Sequence, residues 1–161
     1  MLKKLTDQVW FGNWQAPQEC LGEVGTIINV AHNFSKRRGR SGYWADLRNI
    51  PHEVFYVRLA LKDRQDVSHE YLTAFFRAVD SAVTLGKLPI LTHCQMGGHR
   101  GPTSALLAAW HLAGRSKWSL ENLHDDLVEL SPGIVNGRNY YQSSLAYMHK
   151  NCVPNEGDAD L

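Results

Sequence analysis

A thiol and a guanidinium six residues apart, Cys94 and Arg100, stand in the run Leu91-Thr-His-Cys-Gln-Met-Gly-Gly-His-Arg-Gly-Pro-Thr103. Leu88–Thr92 reads as a buried strand, and Pro102 suits the first turn of a helix. The residues from Cys94 to Arg100 therefore form a loop with a helix starting directly behind it. The backbone N–H groups of Gln95, Met96, Gly97, Gly98, His99 and Arg100 can point inward together, and the helix N-terminus reinforces the anion-binding concavity they make. Gly97 and Gly98 allow the backbone conformations that this curvature demands. Arg100 offers a planar fork of donors that matches two phosphate oxygens. The same field acts on Cys94: a thiol at a helix N-terminus beside a guanidinium loses its proton more easily, and the thiolate is the nucleophile. The pattern predicts a site that holds a phosphate and attacks it with sulfur, forming a phosphocysteine.

Cys-x5-Arg alone carries little information. With three cysteines and ten arginines it arises by chance in roughly one such chain in five, and requiring His93 and Gly97 as well lowers this to roughly one in a thousand. Expelling an ester oxygen also needs an acid opposite the sulfur. Asp63 and Asp66 are the candidates. Asp63 comes just after the strand Val54–Leu59, whereas Asp66 lies just before a helix opened by Ser68, where an acidic residue simply favours the dipole. His99 is given no catalytic role. The eight histidines show no zinc-site spacing, so no metal is expected.

These groups need a scaffold. Val9–Phe11, Thr26–Val30 and Val54–Leu59 are short, β-branched or aromatic, and read as strands. Ser68 caps a helix to about Leu85, with Leu72, Phe75, Phe76, Val79 and Val83 on one face and Gly86 as its stop. The helix from Thr103 to His111 is apolar almost all round and belongs in the core. Two more follow, roughly Ser119–Leu130 and Arg138–Lys150. The order predicts an α/β fold, a central, mostly parallel sheet of about four to five strands with helices on both faces. Residues 1–152 are expected to form a single catalytic domain and 153–161 an acidic flexible tail. A net charge of +1 gives no argument for nucleic acid or a membrane surface, and the basic residues Lys36, Arg37, Arg38, Arg40 and Arg48 read as a solvated loop or as a lure for anionic substrate. Three cysteines do not make a disulfide framework, and no apolar run suits a secretory signal or a spanning helix, so a cytoplasmic location is expected.

His93-Cys94-Gln-Met-Gly97-Gly-His-Arg100 resembles the His-Cys-x2-Gly-x2-Arg signature of the protein tyrosine phosphatases, particularly their small dual-specificity group. The resemblance extends loosely over residues 8 to 150. It implies that Asp63 is the general acid, that His93 orients the loop and favours the thiolate, and that no cofactor is required. The implied partner is a phosphorylated protein, with phosphotyrosine first and some phosphoserine or phosphothreonine activity. A small phosphoester or an RNA 5′-phosphate stays open, as does a non-catalytic phosphate-binding module. Gly101 departs from the pattern: the family usually has Ser or Thr there, a hydroxyl thought to stabilise the sulfur as it leaves in the hydrolytic step. Slow turnover with accumulated phosphocysteine is the expectation. Asn139, Gln142 and Ser144 are candidates for placing the attacking water.

Overall fold

The computed structural model describes residues 1–32, 50–62 and 64–154. Its elements are β1 (Leu2–Lys4), β2 (Val9–Gly12), the short α1 (Ala16–Glu19), β3 (Thr26–Ala31), β4 (Phe55–Leu61), α2 (His69–Thr84), β5 (Ile90–His93), α3 (Arg100–Leu112), α4 (Lys117–Leu130), a 3-10 turn (Pro132–Asn136) and α5 (Tyr140–Lys150). The five strands form one sheet in the order β1-β2-β5-β3-β4. Only the β1–β2 pair is antiparallel; β5 lies in the middle, parallel to β2 and β3. The α/β architecture anticipated from the order of strands and helices is the one observed.

Every residue of β3 and β5 is buried, which is why these segments show apolar runs rather than alternation. On one face of the sheet Val9, Phe11, Ile28, Val30 and Ile90 join the core built with α2, α3, α4 and α5. On the other, Trp10, Ile27 and Leu91 pack with Ala16, Cys20 and Val24. Helical cover among the described residues is thus unequal, four long helices against the single turn of α1. Helix α3 is buried continuously from Gly101 to Trp110, as a helix apolar on all sides must be.

Local signals explain most boundaries. The Ser68 hydroxyl accepts from the Tyr71 N–H at 3.1 Å, and Gly86 ends α2 with φ 66°. Val83, expected on the apolar face, is 46% exposed, and Ala82 takes the inward place. Helix α4 starts two residues before the expected Ser119 because Ser116 is its cap, accepting from the Ser119 N–H at 3.0 Å. β1 and α1 were not expected; each is too short for its own periodicity to register. The basic residues at 36–48, the tail from 155 and Asp63 lie outside the described residues.

Candidate active site

The parallel register brings Gly12 and Asn29 alongside His93, so the chain leaves the sheet at its centre and turns through residues 94–99 into α3. Several of the protein's own hydrogen bonds hold that turn. The Cys94 N–H reaches the Gly12 carbonyl at 3.4 Å, and the Gln95 carbonyl accepts from the Trp14 N–H at 3.2 Å. The Thr92 hydroxyl donates to the Gly101 carbonyl at 2.8 Å, tying the last strand turn to the first helical turn. Arg100 donates from Nη1 to the Leu61 carbonyl at 2.9 Å, which fixes its guanidinium against the end of β4.

Gly97 is the residue on which the curvature depends. Its φ is 77°, a Cβ there would lie 2.2 Å from Met1 Cε and 3.0 Å from the Asn13 nitrogen, and its N–H donates to Cys94 Sγ at 3.2 Å. Gly98 has an ordinary φ and open space around it, so the demand for glycine falls on one of the two positions. Cys94 is 2% exposed, with the thiol inside the bowl of the loop. Gly101 contributes space: a Cβ there would sit 3.5 Å from Cys94 Sγ.

His93 is buried, and burial lowers its pKa to about 4. The ring is therefore neutral at ordinary pH, and whatever it does for Cys94 it does without a charge. Its Nδ1 lies 3.4 Å from the Cys94 carbonyl.

A cavity of about 260 Å³ opens beside the loop, lined by Arg64, His99, Arg100, Asn136, Arg138 and Tyr140. It is a concavity of cationic and polar groups at the end of a helix-reinforced loop, suited to an oxyanion.

No protein-family model matches the chain, and no curated protein matches it by sequence. Solved structures do match. Tk-PTP in its active form superposes with a TM-score of 0.64 over 92% of this chain and 94% of that one, at 16% identity. Human DUSP28 gives 0.66 over 93% and 96%, at 17% identity, and PTPMT1 gives 0.61 over 93% and 92%, at 16% identity.

The fold is that of the protein tyrosine phosphatases. Within this phosphatase fold the structure brings together Cys94, Gln95, Met96, Gly97, Gly98, His99 and Arg100 as one continuous loop. Asp63, the expected acid, falls outside the described residues. Asp66 is exposed, and its carboxylate accepts from Asn139 Nδ2 at 3.2 Å, across the gap between the start of α2 and the start of α5. The three polar residues expected near the attacking water divide. Asn139 is bound to Asp66, Gln142 donates to the Gly137 carbonyl at 3.3 Å, and Ser144 is fully buried with no partner for its Oγ among the described residues. None of the three lines the cavity.

Two features escaped the sequence reading. One is the pair Ser104–Tyr140, hydroxyl to hydroxyl at 2.8 Å and both buried. Burial above all pushes the Tyr140 phenol well up, with Ser104 and Tyr71 pulling the other way and Cys94 adding to the rise, so it stays protonated. The other is the trio Arg64, Asn136 and Arg138, drawn from two separate loops. No spacing rule links them to Arg100. Among the described residues, no three of His, Cys, Asp or Glu come together so as to hold a metal ion, and no helix is long and apolar enough to cross a membrane.

Proposed function

We propose that the chain is a cysteine-dependent phosphatase that hydrolyses phosphomonoesters through a phosphocysteine at Cys94. The observation that carries this reading is the bowl itself: a buried sulfur receiving the Gly97 amide at 3.2 Å, with Arg100 at the far end of the same loop and lining the cavity beside it. In the first step Cys94 attacks phosphorus while the loop amides and Arg100 bind the equatorial oxygens, where transition-state charge is spread. The P–O bond to the leaving group breaks, and Asp63 supplies the proton that the departing oxygen takes up. In the second, water attacks the phosphocysteine, Asp63 accepts its proton, and the thiolate and inorganic phosphate are released. His93 orients the loop as a neutral ring.

The dual-specificity and tyrosine phosphatases that share the fold support phosphotyrosine with phosphoserine or phosphothreonine as the protein substrates. Three free cysteines are in keeping with a reducing, cytoplasmic setting.

The test is hydrolysis of para-nitrophenyl phosphate in EDTA with reductant, comparing the wild type with Cys94→Ser. Release that persists in EDTA and vanishes in the variant is the expected result. Release by the variant at the wild-type rate excludes the mechanism. A folded, reduced wild type that gives neither turnover nor a single-turnover burst transfers the reading to a phosphate-binding module, which Gly101 would then mark.

A further inference from the structure

Three arginines line the cavity, and only Arg100 belongs to the loop around Cys94. Arg64 precedes α2, Arg138 precedes α5, and Arg100 opens α3, so three separate parts of the fold converge on it. The chain as a whole has a net charge of only +1, which makes this a local concentration. Among the described residues no carboxylate pairs with Arg64, Arg100 or Arg138, and Asp66, two residues beyond Arg64, is bound to Asn139 and does not line the cavity. Arg64 is also held at φ 63°, a left-handed conformation that a non-glycine residue adopts only against a penalty. Among the described residues, three guanidinium groups gathered without a paired carboxylate repel one another and invite an anion with oxygens enough for all of them.

The lining also says what the neighbour of the transferred phosphate is not. Among the described residues it includes no aliphatic side chain, its rings are the polar imidazole of His99 and the phenol of Tyr140, and Tyr140 is 3% exposed and turned to Ser104. An aryl ring placed there would meet charged and polar groups instead of the apolar walls that usually hold one. At about 260 Å³ the cavity is also below the roughly 300–1,000 Å³ of a typical small-molecule site.

We propose that the preferred substrate is a compact polyphosphorylated molecule, with a second phosphate close to the scissile one bound by Arg64 and Arg138. This rests on the phosphatase reading of Cys94 and takes the place of phosphoproteins as its substrates: Arg100 and the loop take the phosphate to be transferred, and the two flanking arginines take its neighbour.

Binding separates the two ideas. Reduced Cys94→Ser protein, which cannot turn over, is titrated calorimetrically with inorganic orthophosphate and with inorganic pyrophosphate at fixed ionic strength. Pyrophosphate is expected to bind at least about tenfold more tightly, and that ratio to fall toward one when Arg64→Met and Arg138→Met are added. Both arginines are exposed, so their replacement leaves the core intact. Equal affinity for the two anions, or a preference that survives both substitutions, overturns the proposal while leaving the phosphatase reading standing. Binding of neither anion sinks both. The source of the second phosphate is read from kcat/KM of the wild type on inositol hexakisphosphate and on a peptide carrying adjacent phosphothreonine and phosphotyrosine. At least about tenfold preference for the inositol compound supports the proposal, and preference for the peptide overturns its compact-substrate element.

Discussion

The backbone amide of Gly97 donates to the sulfur of Cys94 across 3.2 Å, and the same residue stands at φ 77°. The amide faces the sulfur only because the backbone is in that left-handed turn, so one glycine sets both the curvature of the loop and the polar contact of the thiol.

Gly97→Ala should therefore fail in two ways. A Cβ meets the Asn13 nitrogen at 3.0 Å and the Gly12 carbonyl carbon at 3.1 Å, which are backbone atoms and cannot swing aside as Met1 Cε can. Denaturant unfolding should show a loss of about 2 kcal/mol or more, from the strained φ and the clash. Phosphatase activity should fall by at least about a hundredfold in protein that is still folded. Near-normal activity would show that the loop keeps its function in another shape.

Arg100→Lys keeps the charge and should still lose most of the activity. The guanidinium gives one nitrogen to the Leu61 carbonyl and has others left for an anion, whereas the three donors of a lysine share one nitrogen and lack that planar fork. A drop in kcat/KM of roughly a hundredfold is expected. Recovery to within a few-fold of wild type would make Arg100 a simple charge.

Gly101→Ser places a hydroxyl on a Cβ that lies 3.5 Å from Cys94 Sγ and 3.1 Å from the Gly12 carbonyl oxygen. The second distance costs about 1 kcal/mol or more of overpacking. Rapid quench of the wild type should show a burst of leaving group followed by slow turnover, and the serine variant should show a smaller burst with a faster steady rate. A wild type without a burst removes the reason to think Gly101 slows the hydrolytic step.

Tyr140→Phe strips the partner from the buried Ser104 hydroxyl, where no water-exposed surface is available to replace it. A loss of about 1–3 kcal/mol is expected in urea unfolding. The double variant with Ser104→Ala should recover part of that loss, and a recovery of nothing would mean that the phenol matters through Tyr71 or Cys94 instead.

Stability should also depend on pH through His93. Its pKa is lowered to about 4 in the folded protein by burial, against about 6.5 when unfolded. Between those values the unfolded chain binds the extra proton, so stability rises with pH. The contribution is complete above about pH 6.5 and is lost as pH falls toward 4, an effect on the order of 3 kcal/mol. Urea unfolding of wild type and His93→Gln from pH 4.5 to 7.5 should show a steeper dependence in the wild type. Parallel curves would place the histidine proton elsewhere.

The readable part of this molecule was whatever a single local segment encodes. The strand–loop–helix around Cys94 announces itself because nucleophile, glycine and arginine are neighbours in sequence as well as in space. Ser68 and Gly86 mark α2 by capping chemistry that needs no tertiary partner. β1 becomes a strand only because β2 offers it an edge, and three residues carry no pattern of their own. Arg64, Asn136 and Arg138 meet through the packing of α2 and α5 around α3, so no spacing could have united them. Ser144 is taken from the site by burial, which a helical register cannot foretell because the neighbours of a face decide it, and Gln142 is exposed and donates to the Gly137 carbonyl.

The tether from the Thr92 hydroxyl to the Gly101 carbonyl, with those from Cys94 to Gly12 and from Trp14 to Gln95, has a consequence for affinity. Ordering seven loose backbone residues around an anion would forfeit on the order of 10 kcal/mol of conformational entropy at the moment of binding. Here that entropy is surrendered during folding, to partners inside the protein. A loop tied in this way offers an anion donors that are already placed, which is what the proposed capture of an ion as small as orthophosphate requires.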